Sequence, residues 1–233
     1  MMTKRVYSFL IITALCSFLL GSCGSKDSAP GTSDSTKKAA GTAANGGSTS
    51  ATSSSPSGSQ RYSIQSGVAH GTIEAMGGKM EMNVYFDDWG NKTCNETMGE
   101  IQGRKIRQVT VTKDGYSWIY DLEQKMGRKM KSKGDDFDFR NMSPDSLKAK
   151  GIKEIGKETV LGKECTVYSI TPPAPKEQPK NAPNVNGKFW IWNGFPMKME
   201  MGTFMKMEVT KIEEGAPPAE KFQIPTDIKF TEM

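Results

Sequence analysis
Lys79-Met80-Glu81-Met82-Asn83-Val84-Tyr85-Phe86 decides the fold. In an extended chain successive side chains point to opposite sides, so Met80, Met82, Val84 and Phe86 share one face. Lys79, Glu81, Asn83 and Tyr85 share the other. The same period of two recurs at Tyr116, Trp118, Tyr120 and Leu122. It recurs at Met197, Met199 and Met201 against Lys198 and Glu200, and again at Met205, Met207 and Val209 against Lys206, Glu208 and Thr210. Turn residues separate the runs: Gly77-Gly78, Asp87 to Gly90, Lys113-Asp114-Gly115 and Asn193-Gly194. This pattern predicts a mainly β (α+β) domain, an antiparallel meander with one dry and one wet face.

Helical signals are few. Ser143 suits an N-cap, Pro144 the first helical position, and Gly151 a stop after Lys148 and Lys150. Asp135 to Met142 adds a turn before it, and Pro218 to Lys221 reads as a second short helix. Pro172 to Pro183 holds five prolines and is expected to be a loop or lid. The 173 residues from Arg61 onward are enough for one domain with its own core.

Upstream of this domain the composition changes. Residues 24–60 are Gly, Ser, Thr, Ala and Pro with a few charges, and no apolar residue larger than Ala. Such a segment buries too little surface to offset its ordering entropy, so residues 23–60 are expected to be a disordered tether. As a flexible coil it would reach roughly 35 Å. Before it, Lys4 and Arg5 precede an apolar run from Phe9 to Leu20 that is too short to span a bilayer as a helix. Residues 1–22 therefore read as a secretory signal. Leu20-Gly21-Ser22-Cys23 resembles the bacterial lipobox, which implies cleavage before Cys23 and acylation of its thiol. An ordinary signal peptide that leaves Cys23 as a stray thiol is the alternative. Asp27-Ser28-Ala29 and Asp145-Ser146-Leu147 also look like the Asp-Ser/Thr-apolar sites that some bacteria O-glycosylate.

Losing residues 1–22 removes Lys4 and Arg5 and no acid, so the net charge of +5 falls to +3. That is too weak to suggest nucleic acid as a partner. Cys94 and Cys165 remain in the domain. Export favours oxidation, and a bridge between them would close a loop of about 70 residues, worth roughly 4 kcal/mol. Two free buried thiols are equally compatible with the sequence.

Several segments in this order carry a resemblance. They are Ile64-Gln65-Ser66-Gly67, Tyr85-Phe86-Asp87-Asp88-Trp89-Gly90 and the stretch Gly156 to Tyr168. Trp190-Ile191-Trp192, Phe195 to Glu200 and Phe222-Gln223-Ile224-Pro225 follow. Over residues 61–233 the arrangement resembles the periplasmic lipoprotein-carrier (LolA/LolB-like) superfamily, in a branch of unassigned activity. The resemblance implies a curved sheet, an incomplete β-barrel, with a few short helices on its concave side. In the characterised carriers of that superfamily the concavity accepts acyl chains. A non-enzymatic envelope lipoprotein, on the outer rather than the inner membrane, that binds an acyl chain or a lipoprotein there is therefore expected. A monomer without a cofactor is expected.

Thirteen of the fifteen methionines follow Cys23. Met80, Met82, Met197, Met199, Met201, Met205 and Met207 are the candidate apolar-ligand face, because unbranched thioethers adapt to varied apolar guests. The same residues read equally as plain core filling. Met197, Met199 and Met201 also have the spacing for Cu(I), which prefers soft sulfur. His70 is the only histidine and reads as a satisfied surface residue. No G-x-S-x-G elbow accompanies it, so no Ser-His-Asp triad can be assembled. Gly151 to Lys157 spells G-x-x-x-x-G-K, but Glu158 follows where a P-loop needs Ser or Thr. Asp87-Asp88 and Asp135-Asp136-Asp138 lack calcium-loop spacing and read as turns. Trp190 and Trp192 read as one face of a strand covered on both sides, or as a ligand mouth. A structural module without a small ligand is the alternative to the carrier-like reading.

Replacing Cys23 by Ala should abolish acylation and release the chain from the membrane fraction. Metabolic labelling with a palmitate analogue checks this, and label retained in the variant would sink the lipobox reading.

Overall fold
Alternating side chains become paired strands along most of the domain. The computed structural model describes residues 59–75, 77–101, 103–132, 137–171 and 186–233. Cys23, residues 1–58, Asp135, Asp136 and the Pro172 to Pro183 stretch lie outside the described residues. The first meander comprises β1 (Gly67–Ala75), β2 (Gly78–Asp87), β3 (Lys92–Ile101), β4 (Arg104–Lys113), β5 (Tyr116–Asp121) and β6 (Met126–Lys131). After the helix α1 (Pro144–Ala149), a second meander comprises β7 (Ile152–Val160), β8 (Lys163–Ile170), β9 (Gly187–Trp192), β10 (Phe195–Met201) and β11 (Met205–Glu214). The chain ends in β12 (Lys229–Glu232).

All twelve strands form one curved sheet, ordered β12-β6-β5-β4-β3-β2-β1-β11-β10-β9-β8-β7. β7 and β12 are its two edges, so the barrel is incomplete. The meanders join where β1 pairs antiparallel with β11. The β12–β6 pair is parallel, which departs from the all-antiparallel expectation. The last segment has to cross from β11 to the far edge, and it arrives there running the same way as β6.

The inner face follows from the register. Ala69 and Ile73 of β1 stand opposite Val84 and Met80 of β2. Across β1, Ile73 faces Met207, and Met207 faces Met199. These residues and Phe86, Phe189, Phe195 and Met197 form the main core. It is covered by two segments. Ser143 accepts a hydrogen bond from the Ser146 N–H at 3.2 Å and caps α1, as the sequence suggests. Leu147 of that helix, with Phe137, Phe139 and Met142 before it, packs on the core. Phe137 stacks on Phe189 at 5.7 Å between ring centroids.

The second cover is the strap that enters β1. Tyr62 is wedged edge-on between Phe86 and Phe195, 5.2 Å from each ring centroid. The Trp89 carbonyl accepts from both the Arg61 and Tyr62 N–H groups at 3.0 Å. The Arg140 guanidinium donates to the Tyr62 carbonyl at 2.8 Å. Gly90 and Gly194, both at positive φ, leave room for the strap. A Cβ at Gly90 would meet the Tyr62 ring, and one at Gly194 would collide with the Arg61 carbonyl oxygen. Trp89 itself holds φ of 53°, a left-handed conformation that costs about 1 kcal/mol. Its backbone hydrogen bonds to the strap offset that strain.

The outer face has a smaller core. Cys94, Val109, Val111 and Tyr120 lie under Phe222, Ile224 and Ile228 of the C-terminal segment. The short 3₁₀ helix Ala219–Phe222 sits here, where Lys221 donates to Glu96 at 2.8 Å. The expectation that the short helices lie on the concave side therefore holds for α1 and is corrected for this one. The aromatic face of β5 needs its own cover, and the C-terminal segment supplies it.

Tyr62→Ala should remove a fully wedged ring and cost about 3 kcal/mol. Urea denaturation of the variant checks this; an unchanged midpoint would show that the strap does not contribute to the core.

Candidate functional site
The residues of the candidate apolar-ligand face are buried together on the inner side of the sheet. Met80, Met82, Met197, Met199, Met201, Met205 and Met207 are all buried in the main core, with Met197 0% exposed. They share that core with the rings of Tyr62 and Phe139, and Phe137 packs against it. Met197, Met199 and Met201 do share the inner face of β10, and Met199 and Met201 have Met207 and Met205 as cross-strand partners. In this structure the methionines are part of the main core.

Further along the same face the chemistry changes. β3 and β4 turn Thr93, Thr97, Thr110 and Thr112 inward, and β5 adds Ser117. All five are buried. Thr112 and Ser117 hydroxyls bond each other at 3.0 Å, whereas the Thr93 hydroxyl has no partner among the described residues. A sheet face this polar is a poor place for a dry core, since each unsatisfied buried hydroxyl costs about 1–3 kcal/mol.

At the end of this polar row lies a cavity of about 230 Å³. Ile106 and Gln108 of β4, Ile119 and Asp121 of β5, and Met126 and Arg128 of β6 form its wall, and Arg104 stands at the rim. Pairing explains the convergence. Ile119 faces Arg128 across β5–β6, Asp121 faces Met126, and Gln108 faces Asp121 across β4–β5. Ile106, Gln108 and Ile119 are buried, while Met126 is exposed. Gly127 is required beside it, because a Cβ there would meet Phe230 and Tyr120. The Asp121 carboxylate accepts from the Glu123 and Gln124 N–H groups at 2.8 and 2.9 Å, which closes the β5–β6 turn.

Reading the sequence alone does not single out these residues. A signal existed: Thr93, Asn95 and Thr97, then Gln108, Thr110 and Thr112, keep a period of two opposite to Cys94, Val109 and Val111. A strand with one apolar and one hydroxyl-bearing face, both buried, marks an interior that is not simple core.

Other candidates resolve into structure. His70 Nδ1 lies 2.6 Å from Asn83 Oδ1, its cross-strand neighbour. Asp88 begins the 3₁₀ turn Asp88–Gly90, and Asp138 accepts from the Asn141 N–H and side-chain amide. Gly151 to Lys157 runs into β7. Trp190 and Ile191 are buried, and the Trp190 indole donates to Glu158 at 2.7 Å. Lys198 sits 4.2 Å over that ring, so both sides of the strand are covered. A second depression of about 420 Å³, between the β1–β2 and β10–β11 turns, is lined by Glu74, Lys79, Glu200 and Lys206 beside Met205. Among the described residues no helix is long and apolar enough to cross a membrane.

The possible Cys94–Cys165 bridge is also corrected. Both thiols are free and buried. Cys94 lies on β3 in the outer core and Cys165 on β8 in the main one, with five strands between them. A disulfide needs Cα atoms within about 7 Å. Burial, reinforced by the Glu96 charge, pushes the Cys94 thiol up to about 12. Burial likewise raises Cys165.

No family model matches the chain, and no curated protein does. Several solved structures overlap it loosely. An uncharacterized conserved protein from Thermus thermophilus is 10% identical over 73% of this chain and 92% of its own, with a TM-score of 0.48. MucB, in the Pseudomonas aeruginosa MucA/MucB complex, is 17% identical over 70% of this chain and 57% of its own, with a TM-score of 0.44. LprF from Mycobacterium bovis is 10% identical over 70% of this chain and 90% of its own, with a TM-score of 0.32. No functional inference follows from overlaps this loose.

The thiolate is the reactive form of cysteine. With its thiol pushed up by burial and its sulfur enclosed, Cys94 should alkylate far more slowly near pH 8 than an exposed cysteine. Peptide mapping should find Cys94 unmodified in the native chain, and both Cys94 and Cys165 alkylated after unfolding without reductant. A linked Cys94–Cys165 peptide would overturn the structural assignment.

Proposed function
We propose that this chain is a lipid-anchored protein of the bacterial cell envelope whose folded domain is a non-enzymatic binding module. Its ligand is an amphiphile whose apolar part, such as an acyl chain, lies in the β4–β6 cavity. The cavity carries this reading. It is on the inner face of the sheet, its wall combines buried Ile106 and Ile119 with exposed Met126, and the strap and the α1 segment fill the main core instead of this space. Ligand sites are typically concave and mostly apolar with a few placed polar groups, and Gln108 with the two arginines fits that description.

The anchor rests on Leu20-Gly21-Ser22-Cys23, and the reach of residues 24–60 lets the domain meet partners away from the surface. The outer membrane is the favoured location, and a monomer the favoured state. The methionines of β10 are buried in the main core, so a Cu(I) role would require that packing to open.

Nile red, a neutral apolar dye whose emission rises out of water, tests the cavity. The mature chain should enhance its fluorescence, and Ile119→Trp, which fills the wall, should reduce that binding at least tenfold with the circular dichroism unchanged. Equal binding by both proteins would place the dye elsewhere and sink the proposal.

A further inference from the structure
We infer that the β4–β6 cavity selects a single-chain amphiphile with an anionic head, a carboxylate or a phosphate, held by Arg104 and Arg128. This rests on the reading that the cavity holds a ligand, and it adds the class of that ligand.

Three cations near the cavity are already satisfied. On this part of the sheet Arg107 pairs with Glu123 at 3.5 Å, Lys125 with Asp227 at 2.6 Å, and Lys129 with Glu232 at 2.8 Å. Among the described residues, Arg104 and Arg128 have no carboxylate within ion-pair distance, although both line the cavity. The register explains the difference. Arg107 and Lys129 project from the outer face, where the C-terminal segment and the β5–β6 turn bring acids, while Arg104 and Arg128 project inward. The one acid in the wall, Asp121, is engaged by two backbone N–H groups and by the Gln124 amide at 3.3 Å. The wall therefore carries two guanidinium charges against one carboxylate that is occupied in a turn.

The wider charge pattern points the same way. Residues 104–131 hold eight Lys and Arg against three Asp and Glu, whereas the chain from Cys23 onward is only +3. Positive charge at a concave site with low-dielectric walls is focused there and favours anions. A guanidinium presents a planar fork of donors that matches carboxylate and phosphate oxygens. Gln108, buried in the same wall, adds an amide donor. Ile106, Ile119 and Met126 lie beside these groups, so head and chain would be read within one cavity.

The test uses the mature chain in neutral maltoside micelles, with displacement of Nile red and native mass spectrometry as readouts. The probes are dodecanoate, dodecyl phosphate, dodecanol and inorganic phosphate. Dodecanoate and dodecyl phosphate should bind at least tenfold tighter than dodecanol, and inorganic phosphate should not compete. The Arg104→Gln, Arg128→Gln double variant should lose that preference and keep its affinity for dodecanol and Nile red. The Lys pair at the same positions should recover part of it. Equal affinity for charged and neutral chains in the unaltered protein would overturn the head preference and leave the cavity reading standing. Competition by inorganic phosphate as strong as by dodecyl phosphate would make this a free-anion site and overturn the amphiphile. If neither dodecanol nor Nile red binds, the cavity reading fails, and the head preference with it.

Discussion

Strand β1 is hydrogen-bonded on one side to β2, its neighbour in the chain, and on the other to β11, about 140 residues away. That single seam makes one sheet out of two meanders. Each meander alone would expose an apolar face: Met80, Met82 and Phe86 in the first, Phe189, Met197 and Met199 in the second. Joined at β1, the faces adjoin and the sheet curls around a shared interior. Among the described strands this is the pairing most distant in sequence, so it carries the largest loop-closure entropy cost in the sheet. Gly71 at the seam lets the β11 backbone and the Met82 side chain approach β1 closely; a Cβ at position 71 would collide with the Glu208 carbonyl oxygen.

The interior divides by chemistry. From β2 to β9 across the seam it is thioether and aromatic, dry, and covered by Tyr62, Phe137 and Phe139. From β3 to β5 it is hydroxyl and amide, and it leads to a cavity with two arginines. Methionine suits the first half because it can fill irregular gaps between rings. The second half sacrifices apolar burial for polar groups, and local departures from a dry interior are where a binding role is expected.

How much of this could be read from residues alone depends on the distance over which each signal acts. Strand alternation, the Ser143 cap and the Asp88 turn are local, and they are where the sequence puts them. The curved, open sheet followed from the resemblance. The covers did not. Tyr62 precedes the first strand in a stretch without periodicity, and only the juxtaposition of Phe86 and Phe195 makes it a wedge. The cavity was hidden for a similar reason. Arg104, Gln108, Ile119 and Arg128 sit on three strands, and only the register puts them on one wall. The methionines are conspicuous because they cluster in sequence, and in the structure they gather in the main core. The placement of Cys94 and Cys165 depended on strand order, which no spacing rule supplies.

The strap and the cavity lie at opposite ends of the strands. Arg61 and Tyr62 are held by Trp89 in the β2–β3 turn and by the space over Gly194 in the β9–β10 turn. Arg104 and Gln124 belong to the other rim, a full strand away, about 30 Å for ten residues. The chain thus enters the first strand at the pole where Tyr62 is wedged, and the cavity sits at the other pole.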